Sequence, residues 1–194
     1  MPVFVDVDIP TYNIDVSRLE AAISPRTKAI MPVHFAGLPA DMDAIMTLAQ
    51  QHNLFAIEDA AHAVGASFEG QPIGSGSNLT AFSFYATKNL TTGEGGMLTG
   101  DAELLDHARV VSLHGMNREA WSRYSAGGKW AYDIVEPGFK YNMTDIQAAL
   151  GLQQLKRFDR MQHRRREIVE TYNAAFGDHA AFLTPTTREH VTNA

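Results

Sequence analysis

The chain has 194 residues, 45% hydrophobic and 20% charged, a composition that supports a packed core and excludes a disordered chain. Its formal net charge of −6 and pI near 5.7 offer nucleic acid or an anionic membrane no electrostatic attraction. There is no cysteine, which excludes disulfides, thiolate metal sites and cysteine nucleophiles, and no apolar run approaches the roughly 18 residues of a membrane span. A cytoplasmic protein is the expectation.

In chain order, Phe4 to Val7 reads as a strand, and Asp15 can cap a short helix through Ile23. Lys28 to His34 is the next strand. Asp41 then caps a helix to His52 that places Ile45, Leu48 and Ala49 on one face. Leu54 to Glu58 reads as a compact buried strand ending at Asp59, and Leu79 to Phe84 as another ending shortly before Lys88. Gly96 to Thr99 follows a glycine-rich turn as a strand, with a helix from Asp101 to about Ser112. Residues 115 to 142 show no clean period and read as an irregular, functional excursion. Thr144 with Gln147 fits a capping box opening one long helix to Phe176, before Gly177. Strands alternating with helices predict an α/β layer fold with a mostly parallel sheet. The chain opens directly on a strand, and its tail from His179 follows the long helix without an evident closing element. Both ends therefore read as cut.

Generic motifs give little. GSGSNL at Gly74 lacks the third glycine of a dinucleotide fingerprint, and GGK at Gly127 is followed by Trp130 instead of Ser or Thr. His34, His52 and His62 have no metal-ligand spacing, so no metal site is expected. The six Lys and Arg residues from Lys156 to Arg166 read as a solvated helix face.

Two polar residues stand apart because each follows a buried strand: Asp59 ends LFAIED and Lys88 lies just after LTAFSFYAT. In open parallel sheets ligand groups gather at the carboxyl ends of strands, so the two could share a cleft. The bland interpretation is a salt bridge. The alternative is a lysine that forms a Schiff base with an aldehyde cofactor while a carboxylate keeps the cofactor's pyridine nitrogen protonated.

The blocks EDAAHA (Glu58 to Ala63), FSFYATKN (Phe82 to Asn89), GEGG (Gly93 to Gly96) and GFKYNMTDIQAALG (Gly138 to Gly151), with PVHFAGLPADMDAI upstream (Pro32 to Ile45), resemble the ordered signatures of the DegT/DnrJ/EryC1/StrS aminotransferase family. The resemblance covers nearly the whole chain up to Phe176. It implies a type I aspartate-aminotransferase-like large domain, incomplete at both ends, and a homodimer with pyridoxal 5'-phosphate at the subunit interface. By that resemblance Lys88 is the Schiff-base lysine and proton shuttle, and Asp59 pairs with the pyridinium nitrogen. His62 lies near the ring, and Ser83 contacts the cofactor phosphate. Asn142 reaches the partner subunit's cofactor phosphate. Lys140, Arg118 and Arg123, with His114, are candidates for the nucleotide-sugar substrate. Many members read GYNYR where this chain has GFKYN, a variant similar to the 4-keto-sugar C4 aminotransferases. The implied reaction is transamination of a nucleotide-activated keto sugar, at C4, with glutamate as donor, in surface-polysaccharide or glycoside biosynthesis. The implied domains are residues 1–143 in the cofactor-binding large domain, 144–177 as a connecting helix, and 178–194 as the start of a truncated small domain. Against this stands a truncated, non-catalytic chain that only binds a sugar nucleotide or a partner subunit. A sugar dehydratase of the same fold is disfavoured because Lys88 is present.

Overall fold

Short strands and the helices that cover them can be followed in a computed structural model that describes residues 1–117, 133–186 and 188–194. The main sheet has four strands: β1 (Ala29–Ile30), β2 (Phe55–Asp59), β5 (Leu79–Ser83) and β6 (Gly96–Thr99), in the order β1-β2-β5-β6. β1, β2 and β5 run parallel, and β6 is antiparallel to β5. This is the mostly parallel α/β sheet expected, with its antiparallel member at one edge. Parallel pairing of β2 with β5, in the register Asp59 to Ala81, brings the carboxyl ends of both strands to one edge of the sheet.

The helices form largely where caps and periodicity place them. Asp15 accepts the backbone N–H of Ser17 and starts a 3-10 turn over Val16–Arg18, which continues as α1 (Leu19–Ala22). Asp41 caps α2 (Met42–Gln51) by accepting from the Ala44 N–H, and Asp101 caps α3 (Ala102–Ser112). Ile45 and Ala49 of α2 are buried with Leu19, Ile30, Ala40 and Met42, while Leu48 packs against the rim of that cluster. At roughly 1.5–3 kcal/mol per large aliphatic side chain, this apolar cluster is the main anchor of the β1–α2 layer.

Several sequence expectations are corrected. Phe4 to Val7 is not a strand: only Val7 makes a bridge, to Ile14, and Phe4 is 92% exposed. The strand predicted over Lys28 to His34 shrinks to Ala29–Ile30 plus a bridge from Val33 to Asp59, because Pro32 has no N–H to give a ladder. β2 is not buried throughout, since Phe55 at its start is 65% exposed. The single helix predicted from Thr144 to Phe176 is two, α4 (Asp145–Leu155) and α5 (Phe158–Phe176). The capping box of Thr144 and Gln147 is present at the start of α4. Finally, the tail does close on something. β7 (Val191–Thr192) pairs with β3 (Ser67–Phe68), which also pairs with β4 (Gln71–Pro72), and Arg188 forms an ion pair with Asp41 at 3.1 Å.

Candidate active site

The carboxyl edge of the sheet carries the candidate residues because each follows a strand that the core holds in place. Asp59 ends β2. Its N–H donates to the Pro32 carbonyl and its carbonyl accepts from the His34 N–H, both at 2.9 Å. On the other side the Ala60 N–H donates to the Ala81 carbonyl of β5 at 2.9 Å. Asp59 is thus fixed from both neighbouring strands. Its Oδ1 accepts the Ala61 N–H at 3.0 Å, and its Oδ2 takes no protein donor among the described residues.

Ser83 ends β5, and its hydroxyl accepts the Tyr85 N–H at 3.3 Å. The chain then turns, with the Lys88 N–H donating to the Tyr85 carbonyl. The return is tied down where Thr92 donates to Phe84 through its backbone and Phe84 donates to the Gly95 carbonyl. Lys88 is half-buried and makes no ion pair within 4.0 Å among the described residues. The salt bridge to Asp59 that spacing alone allowed is therefore not formed.

Lys88 and His62 line one cavity of about 240 Å³ together with Ala36, Thr87, Asn89 and Ala194. That volume is below the ~300–1,000 Å³ of sites that hold drug-sized ligands whole, and it suits a single substituted ring better than an entire nucleotide sugar. Ala36 stands in the wall at φ 51, an unfavourable conformation for a residue with a Cβ. Buried Asn13 imposes it. Its Oδ1 accepts the Phe35 N–H at 2.9 Å, and its Nδ2 donates to the Leu38 and Pro39 carbonyls. The Phe35 ring meets His62 edge-on at 6.5 Å. Asn13 carries no periodic or motif signal, so sequence reading passed over it.

Lys140 and Asn142 sit elsewhere. Lys140 Nζ donates to Asn142 Oδ1, and Asn142 lines a second cavity of about 300 Å³ with Glu94, Gly95, Gly96, Tyr141, Met143 and Gln147. The two cavities share no residue. His114 is exposed at φ 58, while Arg118 and Arg123 lie outside the described residues.

Of the basic run on the last helices, Lys156, Arg157, Arg160, Arg164 and Arg166 are exposed as expected, but Arg165 is not. Its guanidinium donates to Gln162 Oε1 at 2.8 Å and to the Asn89 carbonyl at 3.3 Å, so α5 grips the residue next to Lys88.

These residues fit a pyridoxal-type cofactor. An amine with no ion pair among the described residues and an imidazole line one small cavity, whose lining does not include Asp59 or Ser83. A carboxylate with one oxygen unclaimed among the described residues ends β2, and a carboxylate held by the sheet is the acceptor a protonated pyridine nitrogen needs.

Comparison with known proteins agrees. The profile of the DegT/DnrJ/EryC1/StrS aminotransferase family matches residues 1–194. The chain is 59% identical over 185 residues to the spore coat polysaccharide biosynthesis protein SpsC of Bacillus subtilis, covering 95% of this chain and 48% of that protein. The structure resembles the sugar aminotransferase CalS13 of Micromonospora echinospora with a TM-score of 0.87 at 32% identity, covering 97% of this chain and 52% of that one. It also resembles the PMP form of Spr1654 from Streptococcus pneumoniae (TM-score 0.83, 36% identity, 100% of this chain and 54% of that one), which is known in a PLP form as well. The chain spans about half the length of the curated relatives it matches.

Proposed function

Because this chain belongs to the DegT/DnrJ/EryC1/StrS aminotransferase family, we propose that it supplies the Schiff-base half of a cytoplasmic, pyridoxal-phosphate-dependent sugar aminotransferase. The substrate is a nucleotide-activated keto sugar, the position aminated is C4, and glutamate is the donor. The observation that carries this reading is the cavity that Lys88 shares with His62. Among the described residues the Lys88 amine has no ion pair and the Oδ2 of strand-end Asp59 takes no donor. The sugar is supported by the similarity to SpsC and CalS13, and C4 by the GFKYN segment.

When bound, pyridoxal phosphate supplies an aldehyde that accepts amines and a protonated ring that draws electrons from the carbon beside the nitrogen. The protein's residues do the rest. Asp59 would hold the ring nitrogen's proton through its Oδ2. Lys88 would hold the cofactor through its amine and supply a base for the proton transfers of the reaction. His62 would stand on the ring side and Ser83 would offer its hydroxyl to the phosphate. Asn142 serves a second copy of the chain, since it lines a different cavity from Lys88. That separation supports a homodimer as the working form.

The test is to load the full-length protein with pyridoxal phosphate and add glutamate. The visible band of the bound cofactor should give way to that of the PMP form. Lys88→Ala should slow this conversion by about 10²–10⁴-fold or more, and conversion at the parent rate in that variant would sink the assigned role.

A further inference from the structure

The apolar cluster around Ile45 holds the α2 side of the sheet mainly by hydrophobic packing. Behind Asp59 the sheet is held differently, by a closed polar network. His34 is fully buried and Glu58 is 5% exposed, and His34 Nε2 lies 2.9 Å from Glu58 Oε2. His34 Nδ1 accepts the Ala40 N–H at 3.0 Å, so the ring proton is on Nε2 and is donated to Glu58. The other carboxylate oxygen, Oε1, accepts from Thr80 Oγ1 at 3.1 Å and Asn78 Nδ2 at 3.3 Å. Three donors converge on two oxygens, which suits an acceptor-only carboxylate. A network like this costs desolvation that apolar packing avoids, and well-packed apolar residues would hold a sheet at least as firmly. General stability is therefore a poor reason for it.

Its location suggests a better one. Glu58 immediately precedes Asp59, and alternation along β2 sends the two side chains to opposite faces. Glu58 anchors the strand end from one face, and the Asp59 side chain stands on the other, outside the residues that line the Lys88 cavity. His34 is also bonded to Asp59 through the backbone, N–H to carbonyl at 2.9 Å, and it leads directly into the Phe35–Gly37 turn that brings Ala36 to the cavity wall. Thr80 lies on β5, the strand that leads to Ser83 and Lys88. We propose that the buried His34–Glu58 pair is a positioning device: it locks Asp59, the cavity-wall turn and β5 into one rigid unit so that the Asp59 carboxylate meets the cofactor ring at a fixed place.

This rests on the aminotransferase reading above, and the experiment separates the two. The full-length protein would be compared with His34→Ala, His34→Gln, His34→Asn and the core variant Ile45→Val. The measurements are the dissociation constant for pyridoxal phosphate, the melting temperature, and the rate constant and half-saturating concentration for glutamate in the first half-reaction. Gln places an amide N–H near the position of Nε2 and keeps the donor to Glu58, whereas Asn keeps only an acceptor near Nδ1 for Ala40. His34→Ala and His34→Asn should weaken cofactor binding about tenfold, the effect of leaving one buried charged acceptor short of a donor. They should lower the rate constant while leaving half-saturation within about twofold, because glutamate itself does not touch His34. His34→Gln should recover most of both losses. Ile45→Val should lower the melting temperature and leave cofactor affinity and rate alone. The proposal falls if His34→Ala lowers only the melting temperature, if Asn rescues and Gln does not, or if Ile45→Val shifts affinity as much as His34→Ala. Parent protein that takes up no pyridoxal phosphate would refute the aminotransferase reading itself, and this proposal with it.

Discussion

Asp59 and Lys88 owe their suitability to what they are not bonded to. The carboxylate commits one oxygen to the Ala61 N–H and the other takes no donor among the described residues, and the lysine stands in a cavity wall with no acidic partner among them. Asp59→Asn keeps the shape and removes the charge that holds a ring proton. The expected result is a folded protein that still takes up cofactor but converts it with glutamate about 10²–10³-fold more slowly, the scale of losing one preorganised electrostatic partner. Stopped-flow absorbance would measure this, and a loss below tenfold would argue against the assigned partner. The strand-end places of both residues were legible in the sequence, because each ends or follows a strand that the structure forms. His34, Glu58, Asn13 and Arg165 were not. Their importance comes from burial and from partners 20 or more positions away, as with Asn13 and Leu38 or Arg165 and Asn89. Nothing in local periodicity encodes such partners, so Arg165 read like the exposed arginines around it.

Among the elements, those with a cap and an apolar period were read closely, and those shaped by neighbours were not. α2 begins after its Asp41 cap as expected and ends one residue early, and α3 begins one residue late and ends at Ser112 as expected. The break between α4 and α5 had no sequence signal, since Lys156 and Arg157 are both good helix formers. There the Arg157 N–H donates to Gln154, three residues back, the tighter 3-10 spacing. Tertiary packing supplies the reason. Gly65, at φ 86, leaves so little room that a Cβ would stand 2.7 Å from the Phe158 ring, and the next turn buries Gln162 and sends Arg165 to the Lys88 loop. Gly65→Ala should therefore cost about 1–3 kcal/mol in chemical denaturation, from overpacking and a left-handed backbone. It should also speed amide exchange in the first half of α5 more than in α2. Thr144→Ala, which removes half of a capping box on the exposed end of α4, should cost only about 1 kcal/mol and leave exchange in α5 unchanged.

For the molecule as a whole, the separation of Lys88 from Asn142 is the most consequential geometry. The loop that carries Asn142 also carries Phe139 and Tyr141, stacked at 5.0 Å. It leads into α4, whose Ile146, Leu152 and Leu155 are 84%, 60% and 59% exposed. Exposed apolar side chains on the helix beside a cavity that lacks the reactive lysine are what one half of a shared site should carry. If Asn142 serves the cofactor bound to Lys88 of a second copy, neither Lys88→Ala nor Asn142→Ala should sustain transamination alone. Mixing the two full-length variants under conditions that exchange subunits should restore it. A mixed dimer joins Lys88 from one chain with Asn142 from the other at one of its two sites. With half of the dimers mixed, activity should return to about a quarter of the parent's under two-fold symmetry. Light scattering would check that the mixture is dimeric, and the glutamate half-reaction would report the sites regained. Recovery near zero in a demonstrably exchanged mixture would place Asn142 and Lys88 in a site of one and the same chain, and overturn the shared-site reading. Full activity of Asn142→Ala by itself would remove Asn142 from the site altogether.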